Sequence, residues 1–278
     1  MISGTPNANN GFPKESAKQV ESVDKALCIL ECFSDQTPEL SLKQISEKTG
    51  LYKSRILRLC GTLITHDFLV RQPGPVFRLG PRMLMLGKVY ERSNSLISLA
   101  RPILRDLASV TGQSSKLFTI QGTKRICLVR ERGTYPLSYH VEEGDIFELY
   151  AGAGGKVLLA YSIDAFRNLV LGERALERLT PSTIVERELM EAEFEAIRRR
   201  GYASSKGELF TDVAGLAAPV FDHEDKLCAA LAISGPIQRF SDQYIAEMLP
   251  RLLTATRRLS ILLGNPGERF STEASSTV

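Results

Sequence analysis

From residue 20 to about 264 the chain alternates between apolar residues at helical spacing and short alternating runs, and the order of these patterns divides it in two. Val23, Ala26, Leu27, Leu30 and Phe33 recur at i, i+3, i+4, i+7 and i+10, which predicts an amphipathic helix capped by Ser22. Thr37-Pro38-Glu39 interrupts it. Ser41 then precedes Leu42 and Ile45 in a short second helix. This stops at Thr49-Gly50-Leu51, where glycine takes a left-handed turn without steric cost. A third helix presents Ile56, Leu59, Cys60, Leu63 and Ile64 on one face. Phe68–Arg71 and Val76–Leu79 read as strands around the turn Gln72-Pro73-Gly74-Pro75. Three helices and a hairpin, with a glycine turn before the third helix, describe a winged helix-turn-helix, its two-helix unit at about 41–64.

The second half carries a different pattern. Arg82–Ser93 (Met83, Leu84, Leu86, Gly87, Tyr90) predicts a linker helix. Leu96–Thr111 predicts another, ended by Gly112. Strands follow at Lys116–Ile120 and Arg125–Glu131 around Gly122-Thr123, with a third at Pro136–Glu142. Helices are expected at about 155–161, 164–170 and 186–199, the last burying Leu189, Phe194 and Ile197. Leu216–Phe221 and Leu227–Ser234 form a further strand pair, and Asp242–Leu263 a closing helix. Strands flanked by helices make this half an α/β sheet domain and the whole chain α+β. The expected organisation is a disordered tail at 1–19, a winged helix at 20–81, a linker at 82–95, a sheet domain at 96–264 and a polar tail at 265–278.

Charge changes the picture only in the first half. Residues 1–92 hold 13 Lys and Arg against 9 Asp and Glu, a net of +4, whereas residues 93–278 hold 22 against 23. Within 40–82, Lys43, Lys48, Lys53, Arg55, Arg58, Arg71, Arg78 and Arg82 face only Glu47 and Asp67. A local cationic patch is what a polyanion partner requires, because each cation that meets a phosphate releases condensed counterions. In a helix-turn-helix the second helix enters the major groove with its N-terminal residues nearest the base edges. Lys53, Ser54, Arg55 and Arg58 occupy that position here, and Arg71 and Arg78 lie on the hairpin, placed for backbone phosphate or the minor groove. The plainer alternative is a three-helix interaction module with a surface hairpin and no specific DNA binding.

Composition narrows the class further. Hydrophobic residues make up 43% and charged residues 24%, a globular average that excludes a disordered or low-complexity body. No apolar run approaches the roughly 20 residues of a membrane span. Met1–Gln19 has no apolar segment of the secretory kind, so a cytoplasmic location is expected. Cysteines 28, 32, 60, 127 and 228 are odd in number and contain no C-x2-C pair, and His66, His140 and His223 are scattered. No disulfide framework, metal site or cofactor is therefore expected. Ser234 and Cys228 are nucleophile candidates by residue type alone. No G-x-S-x-G elbow or partnered histidine accompanies them, so an enzyme is not expected.

Tyr150-Ala151-Gly152-Ala153-Gly154-Gly155-Lys156 places three glycines in four positions ahead of a helix. Backbone close approach plus free N–H groups and the positive helix end favours a carboxylate or phosphate. A tight glycine turn with no ligand explains the same residues. The spacing fits neither a phosphate-binding loop of the Walker type nor a dinucleotide fingerprint.

An ordered set of blocks resembles the isocitrate lyase regulator (IclR) family. They are Val23-Asp24-Lys25-Ala26-Leu27, Ile45–Leu51, Lys53–Leu59 and Phe77–Arg82, then Gly155–Ala160, Arg200–Ala203, Glu208, Ala218–Asp222 and Ile233–Pro236. The resemblance covers about residues 20–264. It implies a DNA-binding transcription regulator with a GAF-like effector domain, assembled as a homodimer or dimer of dimers on a palindromic or pseudo-palindromic operator. It further implies control by a small organic acid held by Tyr139, Ala153, Gly154, Ser205, Gly215, Ala232 and Ser234. Gly215 stands where the family often has Cys or Ser, and Ala232 where some members have Ser. Phe210–Val213 departs from a glycine-containing loop. Fewer hydroxyl donors and an aromatic Tyr139 favour an aromatic or otherwise partly apolar acid over a very small keto acid.

Overall fold

The first apolar stripe forms α1 (Glu21–Leu30), but its register differs from the expected one. Ile29 is the fully buried residue, while Val23 and Leu27 are more than half exposed. Ser22 lies inside the helix, and Val20 occupies the N-cap position with no side-chain cap. The turn at Thr37-Pro38 releases a strand that the breaker signal concealed, β1 (Glu39–Ser41). Ser41 ends it and caps α2 (Leu42–Thr49) with a reciprocal box: its hydroxyl accepts from Gln44 N–H, and the Gln44 side chain accepts from Ser41 N–H at 2.8 Å. Gly50 closes α2 in the left-handed region, at φ 70°. After Tyr52 come α3 (Lys53–Thr65), β2 (Leu69–Arg71) and β3 (Val76–Leu79). The sheet order is β1-β3-β2, all antiparallel, so the wing is three-stranded. Ile29, Leu40, Ile45, Ile56, Cys60, Leu69 and Phe77 close one core between helices and wing.

This computed structural model describes residues 20–34, 36–93, 95–134, 141–172 and 176–265. They fall into two units that divide at residues 94 and 95. The first also contains α4 (Pro81–Ser93), whose described side chains are exposed except for half-buried Arg82.

The second unit begins with α5 (Ser95–Thr111), then β4 (Ser114–Gln121), β5 (Lys124–Glu131) and β6 (Ile146–Glu148). The strand described beside β5 is Ile146–Glu148; of the expected strand Pro136–Glu142, residues 136–140 lie outside the described residues, and Val141–Glu142 is irregular. Next are α6 (Ala153–Ala160), α7 (Asp164–Leu171), α8 (Arg187–Arg200), β7 (Ala203–Lys206), β8 (Val213–Phe221), β9 (Leu227–Pro236) and α9 (Asp242–Leu262). In α8 the buried residues are Met190, Phe194 and Ile197, and Leu189 is exposed, one position off the expected face.

Six strands form one antiparallel sheet in the order β6-β5-β4-β9-β8-β7. Strand alternation separates two cores. Leu117, Leu216, Ala218, Leu231 and Ile233 pack with α5 and α9. Phe118, Ala203, Ala217, Ala230 and Ala232 pack with α6 and α8. The second face is paved with small side chains, which leaves space beneath the start of α6.

Candidate functional sites: a cationic helix opening and a cavity under a helix start

Lys53 and Ser54 open α3 exposed, one turn ahead of exposed Arg58, because Ile56 and Cys60 claim the buried face. Neither Lys53 nor Arg58 has a carboxylate within 4.0 Å among the described residues. Arg55 is half-buried and differs: its guanidinium pairs with Glu21 of α1 at 2.9 Å. Arg71 and Arg78 are exposed on the wing, Arg71 Nε donating to Gly74 O at 3.4 Å. Lys48, counted with the patch in the sequence, is turned away to donate to Cys32 O at 3.0 Å. Tyr52 at the α3 N-cap is 85% exposed, beside the cations, and sequence reasoning passed over it. An aromatic ring in the turn that opens the helix was the available signal.

In the second unit, six of the seven predicted acid-binding residues line one cavity: Ala153, Gly154, Ser205, Gly215, Ala232 and Ser234. Tyr139 lies outside the described residues. The cavity encloses about 60 Å³ and is partly open to solvent. Register explains the convergence. Ser205 pairs with Gly215 and Gly215 with Ser234 across β7, β8 and β9, so the three share one face. Phe118, Phe147 and Phe210 supply aromatic wall, with Phe147 edge-on to both others at 6.4 Å.

The glycine turn is built from both sides. Gly152 N–H donates to Glu208 Oε2 at 3.0 Å, and Glu208 Oε1 accepts from Lys156 Nζ at 2.6 Å. Lys156 also meets Glu193 at 3.2 Å, so this buried lysine is fully paired. The first bond of α6 runs from Lys156 N–H to Gly152 O, and the N–H groups ahead of it have no partner within the helix. Gly155 is required by close approach: a Cβ there would sit 2.2 Å from Leu149 O and 2.1 Å from Arg125 Nη1.

Sequence reasoning missed the two cations that line the cavity, Lys116 on β4 and Arg125 on β5. Lys116 is 2% exposed and donates to Ser234 Oγ at 2.6 Å, and burial pushes its pKa down to about 8. It therefore remains largely protonated at neutral pH and donates to Ser234 rather than deprotonating it. Arg125 is 3% exposed, lies over the Phe118 and Phe147 rings at 5.0 and 5.6 Å, and donates to Ala151 O at 2.6 Å. Its Nε is buried with no hydrogen-bond partner. The available signal was periodicity: Lys116 shares its face with Phe118 two residues on, so a charge sits on the apolar face of the strand. The other nucleophile candidate, the Cys228 thiol, is pushed up to about 12 by burial and donates to Val220 O, which leaves it inert. No group of three or more metal-ligating side chains occurs among the described residues. Nor is any helix long and apolar enough to cross a membrane.

Comparison with known proteins joins the two sites. Residues 22–73 match the model of the IclR helix-turn-helix domain, and residues 89–261 that of the bacterial transcriptional regulator IclR C-terminal domain. The chain is 31% identical to the HTH-type transcriptional regulator XynR of Escherichia coli strain K12, over 89% of this chain and 98% of XynR. It is similar in structure to an IclR transcriptional regulator from Alicyclobacillus acidocaldarius (TM-score 0.81, 26% identity, 88% of this chain and 100% of that one). It also shares its fold with an IclR homologue from Microbacterium hydrocarbonoxydans complexed with 4-hydroxybenzoate (TM-score 0.75, 19% identity, 86% and 99% covered). With both of its units matched in order, and a relative aligned over nearly its full length, this chain belongs to the IclR family of bacterial transcriptional regulators, its DNA-binding helix-turn-helix in the first unit.

Proposed function

We propose that Lys53, Ser54 and Arg58 read base edges in the major groove, that Arg71 and Arg78 hold phosphates, and that an organic acid in the cavity sets operator affinity. The observation that carries the DNA half is the opening of α3, where exposed Lys53 and Arg58 have no carboxylate within 4.0 Å among the described residues. Arg55 joins the readers once Glu21 releases it. A second copy of the chain would bring two such helices to half-sites about 34 Å apart or a multiple of that. Leu84, Met85, Leu86, Val89 and Tyr90, all exposed on α4, are suited to a helix–helix contact between copies. The acid would bind one arrangement of the dimer better than the other and shift operator affinity by that difference, with α4 as transmitter.

Aromatic lining by Phe118, Phe147 and Phe210 supports an aromatic or otherwise partly apolar acid. The 4-hydroxybenzoate complex of the Microbacterium homologue is consistent with that choice. The test is fluorescence anisotropy of the full chain on DNA flanking its own gene, at two salt concentrations. A regulator gives sequence-dependent binding that weakens steeply with salt, and Arg58→Ala weakens it further. Equal affinity for scrambled DNA would sink the DNA half. Thermal stabilisation by pyruvate or glyoxylate, with none by benzoate, would sink the choice of acid.

A further inference from the structure

Four cations are buried among the described residues: Lys116, Arg125, Arg130 and Lys156. Two are neutralised in place. Arg130 pairs with Glu142, and Lys156 with Glu208 and Glu193. The other two, Lys116 and Arg125, are the two that line the cavity, and neither has a carboxylate within 4.0 Å among the described residues. Glu208 and Glu148 influence Arg125 from beyond that distance, and Glu142 does the same for Lys116. Burying an ion without a counter-charge is costly, so the absence of a paired carboxylate at both, whose hydrogen bonds go to neutral Ser234 Oγ and Ala151 O, points toward an anion from outside the chain.

We propose that the ligand is a dianion with an apolar middle, a dicarboxylic acid. One carboxylate meets Lys116 Nζ and the Ser234 hydroxyl. The other meets the Arg125 guanidinium beside the Gly152–Gly155 turn. This rests on the acid-sensing reading above and narrows it to a charge class. A monocarboxylate would neutralise one cation and leave the second buried and unmatched. The two cations enter from separated points of the sheet: Arg125 pairs with Ile120, four residues along β4 from Lys116, or roughly 13 Å between backbones. Phe118, Phe147, Val141 and Leu209 line the cavity and suit an apolar connector. The free N–H groups at the start of α6 add positive potential at the Arg125 end.

Calorimetry on the full chain with matched acids tests this. The straight-chain diacids from succinate to suberate and the phthalates are titrated beside hexanoate and benzoate. At least one diacid binds about tenfold or more tightly than the monoacid of matching skeleton. Lys116→Met and Arg125→Gln each remove that advantage. Lys116→Met leaves the ligand-free protein at least as heat-stable as wild type, which separates a binding role from a structural one. Equal affinity for diacid and monoacid, or two monoacids bound per chain, overturns the dianion while leaving acid sensing intact. No binding by any acid of either series overturns both.

Discussion

The cations at the opening of α3 and the cations in the cavity belong to one residue class and do opposite things to the fold. Lys53 and Arg58 stand in water, where a charge costs the folded state almost nothing and a polyanion is met through long-range attraction that salt screens. Lys116 and Arg125 have been stripped of water before any ligand arrives, and burial holds Arg125 down to about 10 as it does Lys116 to about 8. One site keeps its cations solvated and gains from counterion release. On the proposed reading, the other stores part of the binding free energy as instability of the empty protein. DNA affinity should therefore respond to ionic strength, and acid affinity should respond to the identity of single buried residues.

The sharpest way to break that contrast uses the two buried lysines, which should answer the same substitution with opposite signs. Lys156→Met strands the buried Glu208 without its cation, while Glu193 keeps Arg200 at 2.9 Å, and Glu208 also holds the Gly152 N–H. A loss of about 3–5 kcal/mol is expected, seen as a large fall in Tm. Lys116→Met removes a charge that no carboxylate neutralises, so the ligand-free protein should gain stability, by about 1 kcal/mol or more. A fall in Tm for Lys116→Met would mean that the cavity cations are already balanced.

On the exposed side, Arg58→Ala should cost about 1–3 kcal/mol of operator binding if it reads a base, and leave Tm unchanged. Arg71→Ala on the wing should instead weaken all sequences alike and reduce the salt slope by about one, as for a phosphate contact. Anisotropy titrations over a salt series distinguish the two outcomes.

Acidity offers a finer cut. The Lys116 amine has a folded pKa of about 8 against an ordinary value of 10.5. Between those values the unfolded chain binds more protons, so this group makes stability rise with pH. The groups around it are Cys127, Arg130, Glu142 and Arg125. Burial pushes Cys127 and Cys228 up to about 12, which acts in the opposite direction above pH 9. The difference between wild type and Lys116→Met isolates the lysine: the variant's advantage is full below pH 8 and fades by about pH 10.5. Denaturation at pH 7 and pH 10 measures it. Acid affinity should decline as the pH rises through the value Lys116 takes in the complex.

Legibility followed the same divide between solvent and interior. The winged helix was readable because its signals are local: a capping serine, a glycine at positive φ, a cationic helix opening. What failed there was long-range. Whether Val23 and Leu27 or Ile29 faced the core depended on how α1 meets α3, and β1 exists only because β3 pairs with it. In the second unit, six positions that the family resemblance implied for an acid line one cavity, and the register of β7, β8 and β9 brings four of them, Ser205, Gly215, Ala232 and Ser234, onto one face. Lys116 and Arg125 were hidden because a lysine in an alternating strand reads as solvent-facing. Phe118 two residues on marks that face of β4 as apolar, and the sheet order, which sets β4 between β5 and β9, shows that it is covered.

The smallest expected effect concerns the one helix-opening cation that is not free. Arg55 spends its guanidinium on Glu21, with the two side chains 41% and 69% exposed. An exposed pair of this kind contributes between nothing and about 1 kcal/mol, so Glu21→Gln should barely move Tm. Freeing Arg55 should nonetheless tighten DNA binding a few-fold, and more at low salt, because the substitution also removes a negative charge beside the phosphates. If affinity instead falls, the Glu21 contact positions Arg55 for the groove. The α1–α3 pair would then be part of the reading head.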